Sequence, residues 1–312
     1  EGTLSAWMDK HVVKLWAGWT ARRAADKAKL SKLYLPRVFA VGMQVLRGLV
    51  SLHEMKLVHQ DLKPGNVLMF AGEKGMPRGV PLTKLGDFGM CGAGAEDGME
   101  VDGESESKEE VDEEKGEFGA RLGGTRKWMS PEQGQQFLLA RQGKLDASFD
   151  MWAFGLILAC IVSEPTNRAV KEYQAWLQGH VGGLAGAVGE MPARVQSVVE
   201  AAAEEAKAVG GADKQVGAAW EAIVGVLRLC LGEQGRASVT ARQCEERLQG
   251  AYRSLSATRA RFGAVVPSSL QAEMARELDA AFRPKEREVC MHFPHSMCGP
   301  FFSLPYYRHT FL

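Results

Sequence analysis

The chain has 312 residues, 46% hydrophobic and 24% charged, with 38 basic and 38 acidic side chains and a formal net charge of zero. That is enough apolar material for one good core, and the balance excludes an overall electrostatic pull toward nucleic acid or a membrane surface. The longest apolar run, Met151 to Val162, is too short to cross a bilayer, and residues 1 to 30 are charged and hold no signal-peptide core.

In chain order, residues 17 to 32 carry Arg22, Arg23, Lys27, Lys29 and Lys32 in an alanine-rich setting and read as a solvated helix or inserted loop. From Val38, the recurrence of Val41, Val45, Leu49 and Leu52 at three- and four-residue steps predicts an amphipathic helix to about Met55. His53, near its end, reads as a structural residue. The helix delivers Leu57-Val58 into HQDLKPGNVL, His59 to Leu68. There a carboxylate (Asp61), an ammonium (Lys63) and an amide (Asn66) surround a tight Pro64-Gly65 turn, a polar loop entering a strand. Phosphoryl transfer uses that mixture. A carboxylate orients the attacking hydroxyl, a cation neutralises the phosphoryl group, and an amide oxygen helps to hold a hard Mg²⁺ ion.

Val67 to Phe70 and Leu82 to Leu85 read as short strands joined by a glycine- and proline-rich hairpin, the second ending at Gly86-Asp87-Phe88-Gly89. Between about residues 92 and 119 acidic side chains dominate and large apolar residues almost vanish, so a solvated, self-repelling insertion is expected. An alternative for this block is regulatory, with its negative charge occupying a basic substrate site in cis and Ser105 and Ser107 phosphorylated. GTRKWMSPE follows at Gly124 to Glu132, then SFDMWAFG at Ser148 to Gly155, opening a buried helix through Val162.

Further on, helical stretches are expected near residues 170–178 and 194–208, with the glycine-rich stretch Gly183 to Gly189 read as a flexible connection. Trp220 to Leu231 has helical spacing, Val239 to Leu248 reads as a further helix, and Tyr252 to Phe282 also looks helical. Six scattered cysteines suit a reducing compartment, so an intracellular location, cytoplasmic or nuclear, is expected. Cys290, His292, His295 and Cys298 form a zinc-like inventory, but Pro294 and the very tight loop required favour an apolar tail with incidental histidines.

HQDLKPGN, LGDFG, GTRKWMSPE, SFDMWAFG and Arg236, in this order, resemble the large C-terminal lobe of eukaryotic-type serine/threonine protein kinases. Lys63 is the serine/threonine form of the catalytic loop. The resemblance covers roughly residues 1 to 250, leaving 251–312 as a helical and proline/aromatic tail, and implies a mainly α lobe with short β-hairpins. Glu1 to Leu4 is similar to the segment just after the kinase hinge. The N-terminal β-lobe, with its glycine-rich loop and strand lysine, is therefore missing from this chain and would precede Glu1.

The resemblance implies ATP and Mg²⁺ as cofactors and a protein serine or threonine as acceptor. It casts Asp61 as hydroxyl-orienting base, Lys63 as phosphoryl-neutralising and ATP-binding cation, and Asn66 and Asp87 as metal ligands and nucleotide contacts. Thr125 would hold Asp61 and Lys63. His59, Phe88, Gly89, Asp150 and a Glu132–Arg236 ion pair would give structural support. One departure is informative. Gln60 stands where the family usually has an arginine that gathers an activation-loop phosphate, so activity independent of that phosphate is expected. A scaffold of the same fold without turnover, and a kinase-like enzyme acting on small molecules, remain as alternatives.

Overall fold

The computed structural model describes residues 2–9, 18–71, 81–94, 124–138, 145–232 and 238–261, with side chains through residue 255. The acidic block, Arg236 and the Cys290–Cys298 cluster lie outside the described residues. Gly2–Thr3 (β1) enters a single helical turn, Leu4–Trp7 (α1), whose first N–H groups are capped by the Thr3 hydroxyl, accepting from Ala6 N at 3.3 Å.

The long helix α2, Ala24–Glu54, begins well before the expected Val38 and passes through Pro36. An internal proline removes one backbone bond and costs roughly 3 kcal/mol in a helix interior. Here burial offsets it, because Leu30, Tyr34, Leu35, Val38, Phe39, Leu46 and Leu49 all face the core. The reading of residues 17–32 as solvated holds for Arg22, Arg23 and Lys29, which are exposed, but not for Lys27. Lys27 is buried and donates to Glu205 at 2.8 Å, and Glu205 also accepts from Trp19 Nε1 at 2.9 Å. Lys32 pairs with Asp213. Two of the five charges, Lys27 and Lys32, therefore dock this helix onto its neighbours. By length and composition alone α2 contains an 18-residue stretch able to span a bilayer, yet 61% of that stretch is buried inside the protein, the pattern of a core helix.

Leu57–Val58 (β2) precedes the catalytic-loop sequence, and Val67–Phe70 (β3) and Leu82–Leu85 (β4) form the expected antiparallel hairpin with Val67 opposite Leu85. β1 pairs antiparallel with β3 on its other edge, giving the order β1-β3-β4. Gly92–Ala93 (β5) pairs with β2, fastening the chain after Gly89 beside the entry to the loop. Neither two-residue pairing has a periodic signal in sequence.

The remainder is helical: Pro131–Leu138 (α3), Ser148–Val162 (α4), Glu164–Gly179 (α5), Gly183–Ala187 (α6), Met191–Gly210 (α7), Lys214–Leu231 (α8) and Ala241–Arg261 (α9). Every residue of α4 is buried, as its unbroken apolar composition dictates. Gly155 permits its closest packing, since a Cβ there would lie 2.7 Å from Cys230 Cβ of α8. Two expectations need correction. The Gly183–Gly189 connection is partly a short helix, because Leu184 and Ala187 find apolar neighbours that residue composition does not disclose. The helices expected at 239–248 and from Tyr252 are one continuous element through Arg261, since nothing between Leu248 and Tyr252 breaks the backbone ladder. Residues beyond 261 lie outside the described residues.

Candidate active site

The loop between β2 and β3 is held from below by α4. Asp150, in the first turn of α4 and fully buried, accepts backbone hydrogen bonds from His59 and Gln60, each at 2.9 Å. His53 Nε2, from the end of α2, lies 2.9 Å from the same carboxylate. Three polar contacts thus converge on one buried carboxylate, which keeps its charge compensated and fixes the loop backbone. Gln60 adopts a left-handed conformation, φ 65°, which those bonds over-determine.

Immediately beyond, Asp61 is the centre of a dense set of donors. Lys63 Nζ donates to Asp61 Oδ2 at 2.5 Å and to Thr125 Oγ1 at 2.9 Å. Thr125 donates to Asp61 Oδ1 from both its backbone N–H and its hydroxyl, each at 2.8 Å. Asn66 Nδ2 donates to the Asp61 carbonyl at 2.8 Å and to Oδ2 at 3.2 Å. Burial pushes the Asp61 carboxyl up, but the bonds from Lys63 and Thr125 outweigh it and leave the group below the ordinary carboxylate range. Asp61 is therefore an anion with a fixed orientation at neutral pH.

The hairpin places the second carboxylate. Gly86 N donates to the Asn66 carbonyl at 2.9 Å, extending the β3–β4 ladder by one pair, so Asp87 follows directly beside Asn66. Asp87 has φ 59°, is exposed, and its carboxylate bonds no other described side chain. His59 Nε2 lies 3.1 Å from the Gly86 carbonyl, and the His59 and Phe88 rings sit 5.4 Å apart, so both buttress the turn. Asn66 turns its amide nitrogen toward Asp61, which leaves its oxygen available as an acceptor. The Asn66 amide oxygen and the exposed Asp87 carboxylate are hard oxygen donors of the kind Mg²⁺ takes and are the residues that would hold it. Among the described residues no three His, Cys, Asp or Glu side chains are grouped to hold a metal by themselves. A nucleotide-shared Mg²⁺ does not need such a group.

Of the residues expected in the site, Asp61, Lys63, Asn66, Thr125, Asp87, His59, Phe88 and Asp150 are brought together. Glu132 stands in the first turn of α3, while its expected partner Arg236 falls outside the described residues. Sequence reasoning missed Gln133. Its side chain is buried and donates to the Gln60 carbonyl at 2.7 Å, and only its place next to SPE hinted at proximity.

A carboxylate gripped by an ammonium and a hydroxyl, one hairpin register away from an amide and a second carboxylate, is the residue set that phosphoryl transfer of the protein kinase type calls for. Comparison with known families agrees: residues 36–178 match the protein kinase domain. The chain carries a eukaryotic-type protein kinase domain. It is 31% identical over 151 residues to the mouse (Mus musculus) interferon-induced, double-stranded RNA-activated protein kinase, covering 48% of this chain and 22% of that protein. It is 30% identical over 143 residues to 3-phosphoinositide-dependent protein kinase 1 of Caenorhabditis elegans, covering 42% and 22%. Serine/threonine-protein kinase STY46 of Arabidopsis thaliana is 26% identical over 148 residues, covering 47% and 20%. The chain thus spans about a fifth of the length of these relatives.

Proposed function

We propose that the protein transfers the γ-phosphoryl group of ATP to a serine or threonine hydroxyl of a protein substrate. The observation that carries this reading is the Asp61–Lys63–Thr125 cluster, all within 2.9 Å contacts, set beside Asn66 and Asp87. Asp61, anionic and fixed, orients the acceptor hydroxyl and receives its proton. Lys63 keeps one cationic centre between that carboxylate and the phosphoryl oxygens. Asn66 and Asp87 would hold Mg²⁺, which supplies charge neutralisation along the phosphates when bound. Positioning and electrostatics carry the catalysis, with little covalent chemistry by the protein.

The lysine of LKPGN and the GTRKWMSPE platform favour a hydroxyl of serine or threonine on a protein over a small alcohol. Gln60, being neutral, favours turnover that does not wait for a phosphorylated activation segment. Four described cysteines, Cys91, Cys160, Cys230 and Cys244, are free thiols, which supports an intracellular setting, cytoplasmic or nuclear.

The test is transfer of labelled phosphate from ATP with Mg²⁺ to protein acceptors and, separately, to small alcohols. Asp61→Asn is expected to lose activity by roughly 10³-fold while remaining folded, as far-UV circular dichroism will show. Unchanged turnover in Asp61→Asn, or transfer to small alcohols only, would overturn the reading.

A further inference from the structure

The segment that closes the site from Gly124 to Gln133 meets the catalytic loop at two consecutive residues. Thr125 holds the Asp61 carboxylate, and Gln133 Nε2 holds the Gln60 carbonyl at 2.7 Å. The Gln60 side chain in turn reaches the other end, donating from Nε2 to the Met90 carbonyl at 2.5 Å, just past the Asp87-Phe88-Gly89 turn. Both glutamines are buried, Gln60 4% exposed and Gln133 2%. Gln60 Oε1 is buried with no hydrogen-bond partner among the described residues, a desolvation cost accepted at a position whose amide nitrogen is in use. Gly124 completes the fit. It has φ 127°, and a Cβ there would lie 2.7 Å from the Gln60 carbonyl oxygen and 3.0 Å from Gln133 Nε2. The segment's backbone therefore lies directly against the Gln60–Gln133 bond.

We infer that Gln60 and Gln133 form a neutral amide clamp that ties the Met90 end and the Gln133 end of the activation segment to the catalytic loop, positioning Asp61 and Asp87 relative to each other. Each bond in it runs from an uncharged side-chain amide to a backbone carbonyl. A cation at residue 60 would require a negative partner to stay buried, whereas the Gln60 amide satisfies the Met90 carbonyl without one, and the Gln133 amide does the same for the Gln60 carbonyl. Gln133 is a positioning residue by this argument, acting through Gln60. Its own place is secured by Ser130, whose hydroxyl accepts from Gln133 N at 3.1 Å.

The inference rests on the kinase reading for its effect on turnover, but the clamp itself is measurable without turnover. The experiment compares the parent chain, Gln133→Met and Gln60→Met by hydrogen–deuterium exchange of peptides covering 57–70 and 86–94, with and without prior treatment by a broad-specificity phosphatase. Methionine keeps the side-chain length and removes the donor. Loss of either bond is expected to speed exchange in both peptides by about tenfold while α7 and α8 stay unchanged. Phosphatase is expected to leave the parent unaltered. In the transfer assay Gln133→Met should lower kcat by about tenfold with the KM for ATP within about twofold. Parent-like exchange in both variants, exchange raised equally over α7 and α8, or loosening of the parent by phosphatase would each overturn the clamp. If a variant does not fold, the phosphatase arm on the parent still decides. Absence of transfer in the parent with the local exchange pattern intact would instead remove the kinase reading and leave the clamp standing.

Discussion

Asp150→Asn is the sharpest probe of how the fold holds the site. Asp150 Oδ2 faces His59 N and His53 Nε2, and Oδ1 faces Gln60 N, all at 2.9 Å, and the side chain is fully buried. Asparagine offers one oxygen and one NH₂ in the same shape. If the oxygen takes the Oδ2 place, Gln60 N meets an NH₂ group; if it takes the Oδ1 place, His59 N does. Either way one buried N–H loses its acceptor, at about 1–3 kcal/mol, and the surviving bonds lose their charge assistance, at about 1 kcal/mol each. The sum, roughly 3–5 kcal/mol, corresponds to a fall in Tm of about 6–20 °C for a domain of this size. Thermal unfolding followed by far-UV circular dichroism at neutral pH measures it. A midpoint within about 2 °C of the parent would refute the reasoning, because it would mean that the loop backbone finds its acceptors elsewhere.

Other outcomes follow from the same geometry. Lys27→Met leaves the buried Glu205 carboxylate with Trp19 as its remaining donor among these contacts, and is expected to lower stability by about 3–5 kcal/mol in urea unfolding; the double replacement with Glu205→Leu should recover most of the loss. Gly124→Ala forces a Cβ into the Gln60–Gln133 bond at a left-handed φ, so activity should fall more steeply than thermal stability, as parallel kinetic and unfolding measurements will show. The folded carboxyl of Asp61 titrates below its unfolded value of 3.8, so its contribution to stability is present above that pH and is lost as pH falls through the folded value. The stability difference between the parent and Asp61→Asn should accordingly stay constant from pH 7 to about 5 and shrink below about pH 4, which denaturant titrations at stepped pH will test.

Much of the chemistry was legible in the chain because it is written in local order. HQDLKPGN and DFG carry their carboxylates, ammonium and amide within a few residues of turns and short strands, and the strand assignments at Val67–Phe70 and Leu82–Leu85 coincide with β3 and β4. The apolar body of α4 was equally plain, since an element without a polar face has nowhere to go but the core. What was not legible depends on distant partners. Lys27 is indistinguishable from its exposed neighbours until α7 brings Glu205 to it across 178 positions. Pro36 marks a helix boundary by local rules and is overridden by packing on both sides.

The site divides along the same line. Residue types and spacing by themselves supplied the set that the proposed phosphoryl transfer needs, a carboxylate, a cation and two oxygen donors, because that chemistry requires particular side-chain atoms within a few residues of a turn. Tertiary structure alone decided how they are held. Asp150 contacts the loop from about ninety residues away, Thr125 closes on Asp61 across 64 positions, and Gln133 reaches Gln60 across 73. A hydrogen bond depends on atoms meeting within a few tenths of an ångström, and for groups so far apart in the chain only the packed core sets that distance.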